Sequence, residues 1–313
     1  MHIEILGTES LGVRGLCCMV ETCDRKIVID PGLALGYQRH GLLPHPAQVA
    51  VGEQVRQLIV SALESATDVV MSHFHGDHVP LPDANPYQLQ AQAVAALIRR
   101  CNLWAKGDQG LSANMTRRRA ALAETLGREI PGAEGQHDGV LLFSRAVPHG
   151  TLNTHLGTVM MTCIKVEDAI FVHASDIQLL NRRAISQILH WGPDIVLVGG
   201  PPLYLSALSQ GERTLAWTNA RRLADQVELV ILDHHLLRSE TGLSWLNRLS
   251  REANGKVICA ADYMGRPRCL LEARRVQLYA EMPVPDGWHE AYARGKAGTE
   301  RYQHYRQLCA PHA

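Results

Sequence analysis

Short apolar or alternating runs recur along the chain at His2–Leu6, Leu16–Glu21, Lys26–Asp30 and Asp68–Ser72. They return at Gly139–Phe143, Val159–Lys165, Ala169–Ala174, Asp194–Gly199, Val227–Leu232 and Lys256–Ala260. Runs of this length bounded by turn residues predict strands. Amphipathic stretches of helical length lie at Gln48–Ser65, Gln88–Arg100, Thr116–Leu126, Gln178–Leu189, Thr214–Asp225 and Leu243–Ala253. The first three strands are joined by short links and the later ones by helices, which predicts an antiparallel start followed by βα units. A layered α/β protein with helices outside the sheets is expected. Gly36–Pro46 and Gly127–Asp138 are loop-like interruptions, and Pro283–Gly298 sets off a polar tail. The expected division is a body at 1–282 and a helical extension at 283–313.

Composition narrows the class. In 313 residues, hydrophobic positions at 46% and charged ones at 20% describe a folded chain with a sizeable core. Lys and Arg total 31, as do Asp and Glu, so no global charge draws the chain to nucleic acid or an anionic membrane. The longest apolar runs fall far short of the ~20 residues that span a bilayer, and no basic leader opens the sequence. A cytoplasmic protein without a membrane partner is expected. Eight cysteines without a C-x-x-C pair predict reduced, mostly buried thiols and no disulfide framework. Sixteen histidines beside three phenylalanines, several next to Asp, direct attention to metal.

The segment Val69-Val70-Met71-Ser72-His73-Phe74-His75-Gly76-Asp77-His78 is an apolar strand that empties into His73, His75, Asp77 and His78. A strand end holds the backbone stiffly, and Gly76 allows the sharp turn that sends Asp77 and His78 toward a second ion. Imidazole with carboxylate suits zinc and related divalent metals. With no thiolate nearby, the pattern favours an open, catalytic site over a closed structural one.

His-x-His-x-Asp-His after an apolar strand resembles the signature of the metallo-β-lactamase superfamily. The resemblance implies an αββα sandwich, here with a helical insertion at about 84–137 and a helical C-terminal tail. It also implies further ligands on later strand ends, and the chain supplies them in order. They are Asp30 in Ile29-Asp30-Pro31-Gly32, His149 in Val147-Pro148-His149, Asp176 in Ala174-Ser175-Asp176 and His234 in Leu232-Asp233-His234-His235. By that resemblance His73, His75 and His149 would hold one metal and Asp77, His78 and His234 the other, with Asp176 bridging. Asp30 would orient a ligand histidine. His234 is preferred to His235 because on alternate sides of a strand end only one can face the site. The implied cofactors are two divalent ions, zinc first, with manganese or iron as alternatives.

At the ~3.5–4 Å spacing of two-metal sites, a bridging water would lose a proton and act as the hydroxide nucleophile, with Asp77, His78 and Asp176 at the reacting centre. His155, His173 and Asp233 are the positional candidates for protonating the leaving atom. Gly7–Arg14, Trp104-Ala105-Lys106, Gly199–Leu205, Asp233–Arg238 and Leu270–Arg275 further resemble one metallo-hydrolase branch of the superfamily. Superfamily membership leaves the substrate open. Arg14, Lys106, Tyr204 and Arg238, with the Arg117-Arg118-Arg119 run, are the candidate substrate contacts. They point to a small anionic ester, a phosphodiester or a nucleic-acid end, with lactone or thioester hydrolysis as the near alternative. A mononuclear iron enzyme of thiol or persulfide oxidation and a non-catalytic binding protein are the other classes. A homo-oligomer is compatible with all of them.

Overall fold

The three opening runs form antiparallel strands β1 (His2–Gly7), β2 (Cys17–Glu21) and β3 (Lys26–Ile29) in the computed structural model, which describes residues 1–152 and 154–309. Strands β4 (Asp68–Met71) and β5 (Asn102–Ala105) extend this sheet in parallel, in the order β1-β2-β3-β4-β5. Side chains alternate across it. Ile27, Ile29 and Val70 face the central core, whereas Val28, Val69 and Met71 face an outer core. Helices α1 (Pro46–Ser65), α2 (Ala91–Arg99) and α3 (Ala113–Leu126) cover that outer face through Val55, Ile59, Val94, Ile98 and Leu122.

The second half begins with the short β6 (His137–Asp138) and β7 (Leu141–Phe143). A separate ribbon, β8 (Val147–Pro148) with β9 (Thr158–Val159), follows. Then come β10 (Thr162–Val166), β11 (Ala169–Ser175), β12 (Ile195–Val198), β13 (Leu229–Leu232) and β14 (Val257–Ile258). The sheet order is β14-β13-β12-β11-β10-β7-β6, parallel from β11 to β14 and antiparallel beyond. Crossovers run through α4 (Arg182–His190), α5 (Gln210–Gln226) and α6 (Glu240–Glu252). β12 (Ile-Val-Leu-Val) and β13 (Leu-Val-Ile-Leu) are continuously apolar because helices cover one face and the first sheet the other. Two facing sheets with helices outside both are the αββα sandwich of the metallo-β-lactamase type.

Two differences from the sequence reading concern elements. β5 lies inside the stretch expected as an insertion, yet it pairs with β4 and belongs to the first sheet. Its four residues, Asn102–Ala105, sit between helices and show too little alternation to register as a strand. After α7 (Ala260–Tyr263), the chain forms α8 (Arg275–Glu281), α9 (Trp288–Ala293) and α10 (Gln303–Cys309). α10 packs on α1, and Cys309 joins Cys269 in a disulfide. This corrects the expectation that all thiols are reduced. The two cysteines are 40 residues apart, and only the return of the tail onto the body brings them together. Positions 310–313 of the expected extension lie outside the described residues. Among the described residues no helix is long and apolar enough to cross a membrane.

Candidate metal centre

Parallel strands end together at one edge of the sandwich, so the loops after β3, β4, β11 and β13 are neighbours although they are far apart in sequence. Asp30 follows β3, Ser72–His78 follow β4, Asp176 follows β11, and Asp233–His235 follow β13, with His149 supplied by the end of β8. At three of these ends the backbone is left-handed at a residue other than glycine: Asp30 (φ 50°), Ser175 (φ 51°) and His234 (φ 43°). Such conformations are held only where the surroundings over-determine them, and they gather here at one site. Gly32 lets the Asp30 turn lie against the metal loop, since a Cβ there would come within 2.2 Å of the Val79 backbone nitrogen.

Nine-tenths or more of Asp176 is buried, and its two oxygens divide the cluster. Around Oδ2 lie His149 Nε2 at 2.8 Å, His73 Nε2 at 3.3 Å and His75 Nδ1 at 3.8 Å, with 3.0 Å between the His73 and His75 nitrogens. Around Oδ1 lie His78 Nε2 at 2.9 Å and His234 Nε2 at 3.1 Å. Asp77 Oδ2 closes this second set 3.7 Å from His234 Nε2. Four donors on a tetrahedral ion at ~2.1 Å stand roughly 3.4 Å apart, which matches these separations. Asp176 Oδ1 is buried and has no hydrogen-bond partner among the described residues. Lone pairs converging on a common point fit a cation, so both sets suit a divalent metal.

The outward nitrogens of His73, His78, His149 and His234 are each tied down, which fixes the orientation of those rings. Asp30 accepts the His78 Nδ1–H at 2.9 Å, the Ser72 backbone N–H at 2.7 Å and the hydroxyls of Ser72 and Ser175 at 2.7 and 2.9 Å. Ser72 Oγ lies 2.8 Å from His73 Nδ1, and the Gln178 amide lies 3.2 Å from His149 Nδ1. Glu9, buried in the loop after β1, accepts the His234 Nδ1–H at 2.8 Å and the Arg238 Nε–H at 2.6 Å.

Burial opposes charge throughout the cluster, but the ionisable groups overrule it for some members. Asp176 stays well below the carboxylate range beside His78, His234 and His235, and Asp30 is held at about 2 by His78. His78 is raised well above its usual value by Asp176 and Asp30, and His234 is raised to about 9 by Glu9 and Asp176. His73 is pushed down to about 3, first by burial and then by His78 and His75. The carboxylates thus demand positive charge, which protons or metal ions can supply.

Several sequence expectations change. His234 and His235 were set as alternatives, yet His235 Nε2 also lies 3.2 Å from Asp176 Oδ2. The left-handed His234 breaks strand alternation, so both rings face the centre. Neither His235 nitrogen has a hydrogen-bond partner among the described residues. Lys106, expected among the substrate contacts, is tied within the protein. Fully buried, its Nζ donates to Glu134 Oε1 at 2.7 Å and to the Gly107 and Gln109 carbonyls, tethering the loop after β5.

Asp233 is committed to the loop, accepting from Thr8 Oγ1 at 2.9 Å and from the Ser10, His234 and Ala260 backbone N–H groups. His173 donates from Nε2 to the Leu16 carbonyl at 2.8 Å, and His155 is exposed. Neither His155 nor His173 nor Asp233 lines the cavities at the cluster. Arg14 grips Glu272 with two hydrogen bonds of 2.6 and 2.5 Å. Arg238 Nη2 lies 2.9 Å from His234 Nε2 and 3.3 Å from Asp77 Oδ2, and Tyr204 Oη is 3.4 Å from Arg238 Nη1. Of the arginine run, Arg118 alone lines a cavity at the cluster, while Arg119 is paired with Asp108 at 2.9 Å and Arg117 is exposed. Glu9, Ser175 and Gln178 carried no assigned role in the sequence. Glu9 stands 225 residues before His234, and a lone acidic residue in a Gly-Thr-Glu-Ser turn carries no local signal of that partner.

Among the described residues, cavities open onto the cluster on two sides. One of about 260 Å³ is lined by Asp77, His149, Asp176, His235, Tyr204 and Leu205, and one of about 280 Å³ by Arg14, Tyr37, His75, Asp77, Gln88 and Arg118. A larger groove of about 740 Å³ between α1 and residues 84–93 touches none of the donors.

Among solved structures, the chain is similar to CmlA, a diiron beta-hydroxylase from Streptomyces venezuelae (14% identity, TM-score 0.48). The alignment covers 82% of this chain and 52% of that one, so this chain spans about half of CmlA. It is also similar to Tm1679, a metal-dependent hydrolase of the beta-lactamase superfamily, at 13% identity and TM-score 0.48, covering 82% of this chain and 94% of that one. At such distances neither adds to what the strand order establishes. No protein-family model matches the chain. In sequence it is 50% identical over 302 residues to a UPF0282 protein of Methanosarcina mazei, covering 96% of this chain and 99% of that one. It is 35% identical over 295 residues to a UPF0282 protein of Methanopyrus kandleri, covering 90% of this chain and all 100% of that one. With a histidine and carboxylate cluster at the sandwich edge and relatives matched over nearly their full length, the chain belongs to the UPF0282 family.

Proposed function

We propose that the chain is a metal-dependent hydrolase that acts on a small anionic ester or phosphodiester. The observation that carries this reading is the division of Asp176, whose two oxygens each face a separate set of convergent donors. His73, His75 and His149 would hold one divalent ion and Asp77, His78 and His234 the other, with Asp176 between them and zinc the first expectation for both. Such a pair supplies a water of lowered pKa and a Lewis acid for the oxygen on which charge develops.

The chain's own residues prepare that chemistry. Asp30 and Glu9 fix the tautomers of His78 and His234 so that each Nε2 lone pair points inward. His235, kept neutral chiefly by burial, offers a free imidazole edge to a molecule in the 260 Å³ cavity. Asp77, His78 and Asp176 remain the residues proposed at the reacting centre. A single-ion reading, with iron in the His73, His75 and His149 set and thiol oxidation as the chemistry, is favoured by one observation. The Arg238 guanidinium already contacts two donors of the second set.

Elemental analysis of the purified protein separates the readings. Two zinc equivalents, with turnover of chromogenic diesters, lactones or thioesters abolished by His73→Ala and Asp176→Ala, are expected. One iron equivalent, or turnover unaffected by those substitutions, would refute the hydrolase assignment.

A further inference from the structure

We infer that the substrate carries an anionic group on one side of the scissile bond and an apolar group on the other, each in its own cavity. This rests on the hydrolase reading and names the substrate class for that site. The two cavities share Arg14, His75 and Asp77, so a molecule occupying both passes directly over the donor cluster. Their walls differ in kind.

The 280 Å³ cavity is lined by Arg118, sent in from α3, together with Gln88 and Tyr37. The Arg118 guanidinium carbon stands 3.6 Å from where a side chain at Gly76 would begin, and Nη1 donates to the Phe74 carbonyl at 3.4 Å. Among the described residues no carboxylate lies within 4.0 Å of it, whereas Arg14 is answered by Glu272 and Arg119 by Asp108. A half-buried guanidinium with no carboxylate partner, facing a cavity beside the metal loop, is a receptor for a carboxylate or phosphate. The 260 Å³ cavity instead presents Leu156, Pro202, Tyr204 and Leu205 around His149, Asp176 and His235. Leu156 and Leu205 are 43% and 44% exposed, apolar side chains held at the mouth of a polar site. Exposed apolar surface placed next to a ligand cluster marks a binding wall. In the reaction, water adds at the acyl carbon and the C–O bond breaks. The acid part stays by Arg118 with its proton released, and the alcohol leaves past Leu156 and Leu205.

The test compares 4-nitrophenyl hemisuccinate with 4-nitrophenyl valerate, esters of similar length with and without a remote carboxylate. The wild type is expected to prefer the hemisuccinate by about ten-fold or more in kcat/KM. Arg118→Met should remove that preference by raising KM for the hemisuccinate, Arg118→Lys should restore part of it, and Arg117→Met should leave the preference unchanged. Calorimetric titration of the full chain with inorganic phosphate supplies a readout free of turnover, with binding weakened about ten-fold in Arg118→Met. Equal handling of the two esters by the wild type, or phosphate affinity unchanged in Arg118→Met, overturns the inference. Failure of both esters to turn over, with Arg118-dependent phosphate binding retained, counts against the hydrolase reading and leaves the anion site standing.

Discussion

Asp30 illustrates how much one carboxylate can organise. It accepts hydrogen bonds from Ser72, Ser175 and His78 while fully buried, so it joins β3, β4 and β11 at the point where the donors are held. Its replacement by Ala leaves buried donors unpaired and frees the His78 ring to rotate. Metal affinity measured by chelator competition is expected to fall about 10- to 100-fold. Arg238 contacts His234 and Asp77 of the second donor set, and in the proposed two-ion reading its positive charge would oppose entry of a second ion. Metal titration of the wild type should therefore show two unequal steps. In Arg238→Met the weaker step should tighten by about ten-fold, and an unchanged weak step would remove this role from Arg238.

Glycine contacts and strained strand ends decide how the elements meet. At Gly32 a Cβ would run into the His78–Val79 backbone at 2.2–2.3 Å, an obstacle that cannot rotate away. Gly32→Ala should push the metal loop out of place and lose metal binding together with thermal stability. Chelator competition and calorimetric melting on the same sample would register both. At the tail, the Cys269–Cys309 disulfide closes a loop with a sequence separation of 40 and pins α10 on α1. Cys309→Ser should lower stability by about 2–4 kcal/mol in denaturant unfolding, and wild type under reducing conditions should behave alike.

For the whole molecule, a buried charge network spans both halves of the sandwich edge. Glu272 receives Arg14 and Arg39. Despite burial, Arg14 first and then the charges of Arg238 and Arg275 lower its pKa from its ordinary 4.5 to about 2. A carboxylate depressed on folding contributes stability that is fully present above its unfolded value and is lost as pH falls through the folded one. The window is therefore pH 4.5 down to 2, and the contribution is about 3 kcal/mol. Denaturant unfolding across that range should show the loss in wild type and a flatter profile in Glu272→Gln.

The strand that ends in His73-Phe74-His75-Gly76-Asp77-His78 was readable from local rules, because its chemistry lies in its spacing. The later exits at His149, Asp176 and His234 were picked out only by the resemblance to the metallo-β-lactamase superfamily, since each alone is an ordinary loop residue. What folding alone decided lies in contacts between distant segments. Glu9 with His234, Arg14 with Glu272, and Cys269 with Cys309 leave no trace in local periodicity, because the energy of each depends on burial and on a partner brought near by the fold. Lys106 reads from sequence as a free cation and is instead consumed by Glu134 and two carbonyls. Alternation predicted that His235 would turn away, but a left-handed residue at His234 reverses it, and only close packing at the strand end can hold that backbone. The sequence by itself thus determined which side chains could meet, through residue type and strand period. The tertiary structure decided which of them do, because pairing, burial and backbone strain are properties of neighbours.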